Sequence, residues 1–157
     1  MNIFAIDKYA KHAARAHVDR HVIKMILESA QILCTVNTMY GLKVPYKSTH
    51  VNHPCVKWAA ESEGNWLWLY NLAHYLNLEY KYRFNKCANH KSWDVIESLD
   101  VPTNMPKLER TPWYQAMPEE FKDADPILAY RKYYKYGKSH LHKWTKRKPP
   151  EWLEDEL

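Results

Sequence analysis

Residues 17–36 read "HVDRHVIKMILESAQILCTV", and the fold turns on this stretch. Val18, Val22, Ile23, Met25, Ile26, Leu27, Ala30, Ile32, Leu33 and Val36 make it apolar on most sides. At about 100° per residue, His17, His21, Lys24 and Glu28 fall within about 60° of one another on a helix. Gln31 extends the same line. A helix that is apolar around most of its circumference belongs in the middle of its domain. Its one row of ionisable groups must then pair inside or face a cleft, because an unpaired buried charge is strongly destabilising. Three readings follow: a buried network that fixes helix packing, the wall of an active site, or a helix less enclosed than its pattern suggests with the row in solvent. The second has chemistry in its favour. A carboxylate, an amine and two imidazoles held together shift one another's pKa toward neutrality. Glu28 would serve as general acid or base. Lys24, desolvated beside His17 or His21, would serve as nucleophile or phosphate anchor.

Working outward, "MNIFAI" is a short apolar entry that closes at Asp7, which caps a short helical turn through Ala14. The main helix then runs to about Thr38 and stops at Gly41, where a left-handed exit is available. Pro54 opens the next helical pattern. Trp58, Trp66, Leu69, Leu72, Leu76 and Tyr80 recur at threes and fours through Phe84. Gly64 predicts a kink or break within it. A shorter helix is predicted over His90–Leu99. Residues Asp100–Pro118 hold many prolines and breakers and read as an ordered surface loop. Asp125 and Pro126 cap and begin a last long helix that continues toward Trp144, followed by a proline stop and an acidic tail. No repeat or low-complexity block appears. The pattern predicts an all-α protein, one irregular bundle of about four to six helices over residues 1–157.

Composition sets further bounds. A chain of 157 residues suits one domain with a real core. Seven Trp and twelve Tyr against three Phe favour sites and interfaces as well as core. Three Gly argue against a β-rich fold of tight turns. Cys34, Cys55 and Cys87 are odd in number and form no C-x-x-C pair, so a reducing cytoplasm is expected. No secretory leader and no membrane span are read from the sequence. The net charge of +5 admits a polyanionic partner.

Two further segments carry chemistry. "THVNHPC" places Thr49, His50, Asn52 and His53 just before a helix N-terminus, where free N–H groups favour an anion. His50, Asn52 and His53 would contact substrate. The capping reading, in which Asn52 or His53 merely starts the helix, stands beside it. His17, His21, His50 and His53 together would also suffice for a metal, although the H-x3-H spacing lacks the glutamate of the zinc-protease motif. The prediction entails no metal or cofactor. "YRKYYKYGKSHLHKWTKRK", residues 130–148, has eight Lys or Arg and no acid, interleaved with Tyr and Trp144. Cations release counterions from phosphates and aromatics stack on bases. Arg131, Lys132, Lys135, Lys138, Lys143, Lys146 and Arg147, with Trp144, are therefore the predicted nucleic-acid contacts. A solvated amphipathic helix with its aromatics in the core is the competing reading.

The start "MNIFAID", the block "HVDRHVIKMILESAQIL", then "THVNHPC", "AMPEEF" and "KWTKR" resemble a family of small phage and prokaryotic proteins with no assigned function. That resemblance covers most of the chain. A fainter one is to the pyrimidine-dimer DNA glycosylases of the endonuclease V type. It rests on a carboxylate candidate, Glu28, on the first long helix, on the aromatic-basic "YRKYYKYGK", and on "NHP" at residues 52–54. This second resemblance implies an enzyme that attacks with a terminal amine exposed by removal of the initiator Met. Here Asn2 departs from the small residue that removal needs, so either the Met1 amine or Lys24 would take that part, or the lyase chemistry is absent. The expectation is a DNA-acting, base-processing enzyme with Glu28, Lys24, His21 and His17 as catalytic residues and Gln31, His50, Asn52 and His53 binding substrate. A non-catalytic phage accessory protein binding nucleic acid or a host protein, and a metal-dependent hydrolase, are the alternatives.

Overall fold

The computed structural model describes residues 1–157. Six helices and no strands make up the chain: α1 (Ala10–Ala16), α2 (Asp19–Met39), α3 (Pro54–Glu61), α4 (Glu63–Arg83), α5 (Lys91–Glu97) and α6 (Pro126–Lys132). α2 is the central element, packed on α3, α4 and α5, and α1 lies along α4. Val22, Ile26, Leu33 and Val36 of α2 meet Trp66, Leu69, Leu72 and Leu76 of α4 in one continuous core. The buried segment Ile3–Ile6 joins that core ahead of the first helix. α2 is not enclosed on every side: Ile23 is 43% exposed and Leu27 40%. It ends as its sequence predicts, with Gly41 at φ +82°.

α2 begins later than its periodicity suggests. The chain breaks at His17–Val18, both extended, so His17 terminates α1 and does not share a helix with His21. The cause is tertiary. Arg83, wholly buried, donates to the carbonyls of Arg15 (2.9 Å) and His17 (2.7 Å) at the end of α1. It also pairs with Asp19 (3.1 Å) and Glu79 (3.0 Å). The first N–H groups of α2 find distant acceptors: Val18 donates to the Tyr134 hydroxyl (3.1 Å) and Asp19 to the Lys143 carbonyl (2.8 Å). Groups that a local cap would satisfy are thus satisfied from the far end of the chain.

The α3–α4 break falls at Ser62, whose hydroxyl accepts the Asn65 N–H (3.1 Å) as an N-cap, and not at Gly64. Gly64 has another task. The loop 106–112 passes directly over it: Glu63 and Gly64 donate to the carbonyls of Pro106 (2.8 Å) and Leu108 (3.0 Å). A Cβ at Gly64 would sit 2.3 Å from the Arg110 nitrogen, a backbone atom that cannot swing aside. Gly64→Ala is therefore expected to destabilise the protein by about 1–3 kcal/mol, measured by urea unfolding. Unchanged stability would mean the loop lifts without cost.

The 100–118 segment forms no helix or strand, as predicted, but it is not wholly at the surface: its Met105 and Trp113 are buried. The last long helix does not run as predicted. α6 stops at Lys132, continues as a π-helical turn, Tyr133–Gly137, then a 3-10 turn, Ser139–Leu141, and then irregular chain. Tyr134 leaves the helical course to put its hydroxyl beneath Val18 and His21. No helix is long and apolar enough to cross a membrane.

Candidate active site

A cleft of about 390 Å³ opens where the chain's first residues cross the middle of α2. Glu28, 8% exposed, forms part of its wall. The Met1 α-amino nitrogen lies 3.2 Å from Glu28 Oε1, and the same oxygen accepts the Asn2 N–H at 3.0 Å. The Met1 side chain is only 3% exposed and packs against the core, so this residue is built into the fold. Asn2 anchors the segment: its Nδ2 donates to the Ala116 carbonyl (2.9 Å) and its Oδ1 accepts the Ile3 N–H (2.7 Å). Ala116 is held in turn by the Tyr130 hydroxyl, which accepts its N–H (3.2 Å) and donates to the Tyr114 carbonyl (2.5 Å). An amine and a carboxylate are thus fixed together by a chain of partly buried bonds.

Two imidazoles border the same cleft. His21 stacks on Phe4 at 4.4 Å and 14°. Its Nδ1 lies 2.7 Å from the Tyr134 hydroxyl. That hydroxyl accepts the Val18 N–H and has no acceptor within reach other than His21 Nδ1; assigning its proton there places the ring proton on Nε2. Burial, with His17 and the positive charges of Lys138, Lys24 and Arg20 nearby, pushes the His21 pKa down to about 3. His53 caps α3: its Nδ1 accepts the Cys55 N–H at 3.0 Å, which leaves the proton on Nε2 here too. Desolvation and the Met1 amine lower its pKa. Both rings are therefore neutral donors at physiological pH.

Lys24 and Lys138 complete the wall, and neither has an acidic partner. Lys24 is exposed; Lys138 is half-buried, its Nζ 5.0 Å from the Tyr133 ring. The Tyr133 ring lines the cleft as well. The one carboxylate is matched by the amine, and the cleft is left with positive charge.

Of the expected catalytic row, Glu28, Lys24 and His21 meet in this cleft. His17 does not. It is fully buried, its Nδ1 donates to the Ala13 carbonyl (2.6 Å), and its Nε2 is enclosed without a partner. Burial lowers its pKa to about 4. Of the expected substrate contacts, His53 borders the cleft. Gln31 is half-buried further along α2 and outside it. Asn52 is exposed and takes no part in capping; His50, at φ +52°, bonds Thr49 Oγ1 (2.7 Å). The four imidazoles do not gather, and no group of three or more His, Cys, Asp or Glu side chains is placed to hold a metal.

The basic segment is mostly committed within the protein. Arg131 donates to the Ile6 carbonyl (2.8 Å) and pairs with Asp7 (3.3 Å). Lys132 pairs with Asp123 (2.7 Å), and Lys135 donates to the Asp155 carbonyl (2.7 Å). Trp144 donates its indole N–H to the Ala16 carbonyl (2.8 Å). Lys146 bonds Asn85 and the Tyr82 carbonyl, and Arg147 grips both oxygens of Glu79 (3.0 and 2.7 Å). Lys143 is exposed with a free ammonium, and Lys138 faces the cleft. Sequence reasoning did not single out Phe4, Tyr133 and Tyr134 as parts of the site. The apolar "MNIFAI" ahead of the first helix was the available signal, since an apolar terminal segment must cross the core somewhere.

No protein-family model, no curated protein and no solved structure matches this chain. The chemistry of the cleft itself is what bears on function.

Proposed function

We propose that the protein is a DNA-processing enzyme that releases a base from deoxyribose, with the Met1 amine as nucleophile and Glu28 as the group that receives its proton. One observation carries this reading: the amine is held 3.2 Å from a nearly buried carboxylate at an accessible cleft. A nucleophile adjoining a base at that range is the general signature of covalent catalysis. The amine is favoured over Lys24, which is exposed and has no carboxylate partner.

The reaction follows from those positions. The Met1 ammonium first gives a proton to Glu28, and the freed amine nitrogen bonds to C1′ of a flipped-out nucleotide. The bond from C1′ to the base breaks, and the base leaves with the bonding pair and takes up the proton that Glu28 received, which restores the carboxylate. The nitrogen gives a proton to Glu28. Opening of the sugar ring at O4′, which takes up that proton, leaves an iminium between C1′ and the amine. Glu28 also stabilises positive charge developing on the sugar. The positive cleft and the Tyr133 ring suit a phosphate-bearing, aromatic substrate. The faint resemblance of the sequence to the pyrimidine-dimer DNA glycosylases points the same way.

Borohydride trapping tests it. The protein is incubated with duplex DNA holding one abasic site and sodium borohydride. A covalent adduct is expected, and peptide mapping is expected to place it on Met1. A variant with Gly-Ser inserted before Met1 moves the amine away from Glu28 and is expected to lose the adduct while still binding DNA. No adduct from the unaltered protein overturns the enzyme reading and leaves a DNA-binding protein. An adduct mapped to Lys24 overturns the choice of nucleophile.

A further inference from the structure

We infer that the cleft contains a phosphate subsite made by the ammonium groups of Lys24 and Lys138 and the Nε2–H groups of His21 and His53. The inference rests on the proposed function only for the identity of the larger substrate; the subsite is argued from the cleft alone.

Four donors border one space and come from three separate parts of the chain: His21 and Lys24 from α2, His53 from the cap of α3, and Lys138 from the turn after α6. None of the four points is used up by the protein. Each imidazole spends Nδ1 internally, on the Tyr134 hydroxyl or the Cys55 N–H, and Nε2 has no protein partner. Each lysine lacks an acid. Their charge is felt in the cleft, since Lys138 and Lys24 are among the groups that hold His21 neutral. The only carboxylate bordering the cleft is Glu28, already bound by Met1 and Asn2. A cleft so arranged suits an anion that accepts from several directions. A phosphate group, whose acceptor oxygens (two in a diester, three in a monoester) diverge from a tetrahedral centre, fits donors arriving from several directions better than a planar carboxylate. The two neutral N–H donors add hydrogen bonds without adding repulsion to the two ammonium groups.

The same phosphate chemistry is offered by a nucleic-acid backbone and by a free nucleotide. The test uses both, reading the ¹⁵N resonances of the His21 and His53 imidazoles, assigned with H21Q and H53Q. Three probes are titrated at constant ionic strength: inorganic phosphate, deoxyadenosine 5′-monophosphate, and a single-stranded oligonucleotide without terminal phosphates. Both imidazoles are expected to shift with inorganic phosphate and not with acetate. A response to the monophosphate alone identifies a free nucleotide, and a response to the oligonucleotide identifies the backbone. K24Q and K138Q are each expected to weaken phosphate binding about tenfold, the loss of one charge-assisted contact, whereas K107Q, at an exposed loop position, is expected to leave it unchanged. If phosphate leaves both imidazoles unmoved, or if the two lysine variants bind it as the parent does, the subsite is overturned. Phosphate binding without a borohydride adduct removes the proposed reaction and keeps the subsite. An adduct without phosphate binding does the reverse.

Discussion

Glu28→Gln is expected to slow formation of the borohydride-trapped adduct by about a hundredfold to ten-thousandfold, the span typical of a lost general acid or base. The substitution keeps the shape of the side chain. Its amide oxygen can still accept the Asn2 N–H that Glu28 Oε1 accepts at 3.0 Å. What disappears is the negative charge beside the Met1 amine and the capacity to take a proton from it. Under the proposed function, cations elsewhere on the cleft would carry DNA affinity, which is then expected to stay the same or rise slightly as a like charge is removed near phosphate. Single-turnover trapping kinetics and a salt-controlled binding isotherm check the two halves. An unchanged trapping rate would take Glu28 out of the reaction. Lost DNA binding would show that the variant damages the cleft rather than the chemistry.

Acid is expected to destabilise the protein well above the usual carboxylate range. Burial holds the pKa of His17 at about 4 and that of His21 at about 3, against an ordinary histidine value near 6.5. Below about pH 6.5 the unfolded chain binds protons that the folded chain refuses, so stability falls as pH falls. It is fully present above that value and is lost progressively down through the folded pKa of each ring. Each neutral ring contributes a slope of about 1.4 kcal/mol per pH unit inside its window. The pair is therefore expected to remove about 3 kcal/mol between pH 6.5 and pH 5, because the unfolded rings are only half-protonated at the upper end. Urea unfolding at intermediate pH values measures this. H21Q is expected to flatten the slope by about half. A curve with no slope between pH 6.5 and pH 5 would mean that the rings are solvated. Glu79 acts lower on the scale. Burial opposes its charge, but Arg147 and Arg83 outweigh burial and hold its pKa below the usual value, so its contribution begins to be lost as pH falls through the ordinary carboxylate value and is gone below the lowered one.

The row on α2 was legible because it depends on a local rule. The rotation of a helix puts positions 21, 24 and 28 on one face whatever surrounds them. His17 obeyed the same arithmetic but not the same structure. Its helix ends at Ala16 because Arg83, from the end of α4, takes the carbonyls of Arg15 and His17. No local pattern at residues 15–19 carries that information. The basic segment shows the converse. Its lysines and arginines look free in sequence, yet Asp123, Asp7 and Glu79 neutralise three of them, and the carbonyls of Asp155 and Tyr82 hold Lys135 and Lys146. Gly64 was recognised as special for the wrong reason: its flexibility was read as a break, whereas its missing side chain admits a crossing loop.

By itself, the sequence determined an all-helical chain, a central second helix, and the placement of a carboxylate, an amine and an imidazole along one of its faces. Periodicity and capping chemistry act over a few residues, and they suffice for that. Only the tertiary structure decided that Met1, remote in sequence, delivers its amino group to Glu28, that His53 and Lys138 join the same cleft, and that His17 does not. Those outcomes depend on how the buried segment Ile3–Ile6 and the chain beyond α6 cross the core, and long-range packing of that kind leaves no period in the sequence.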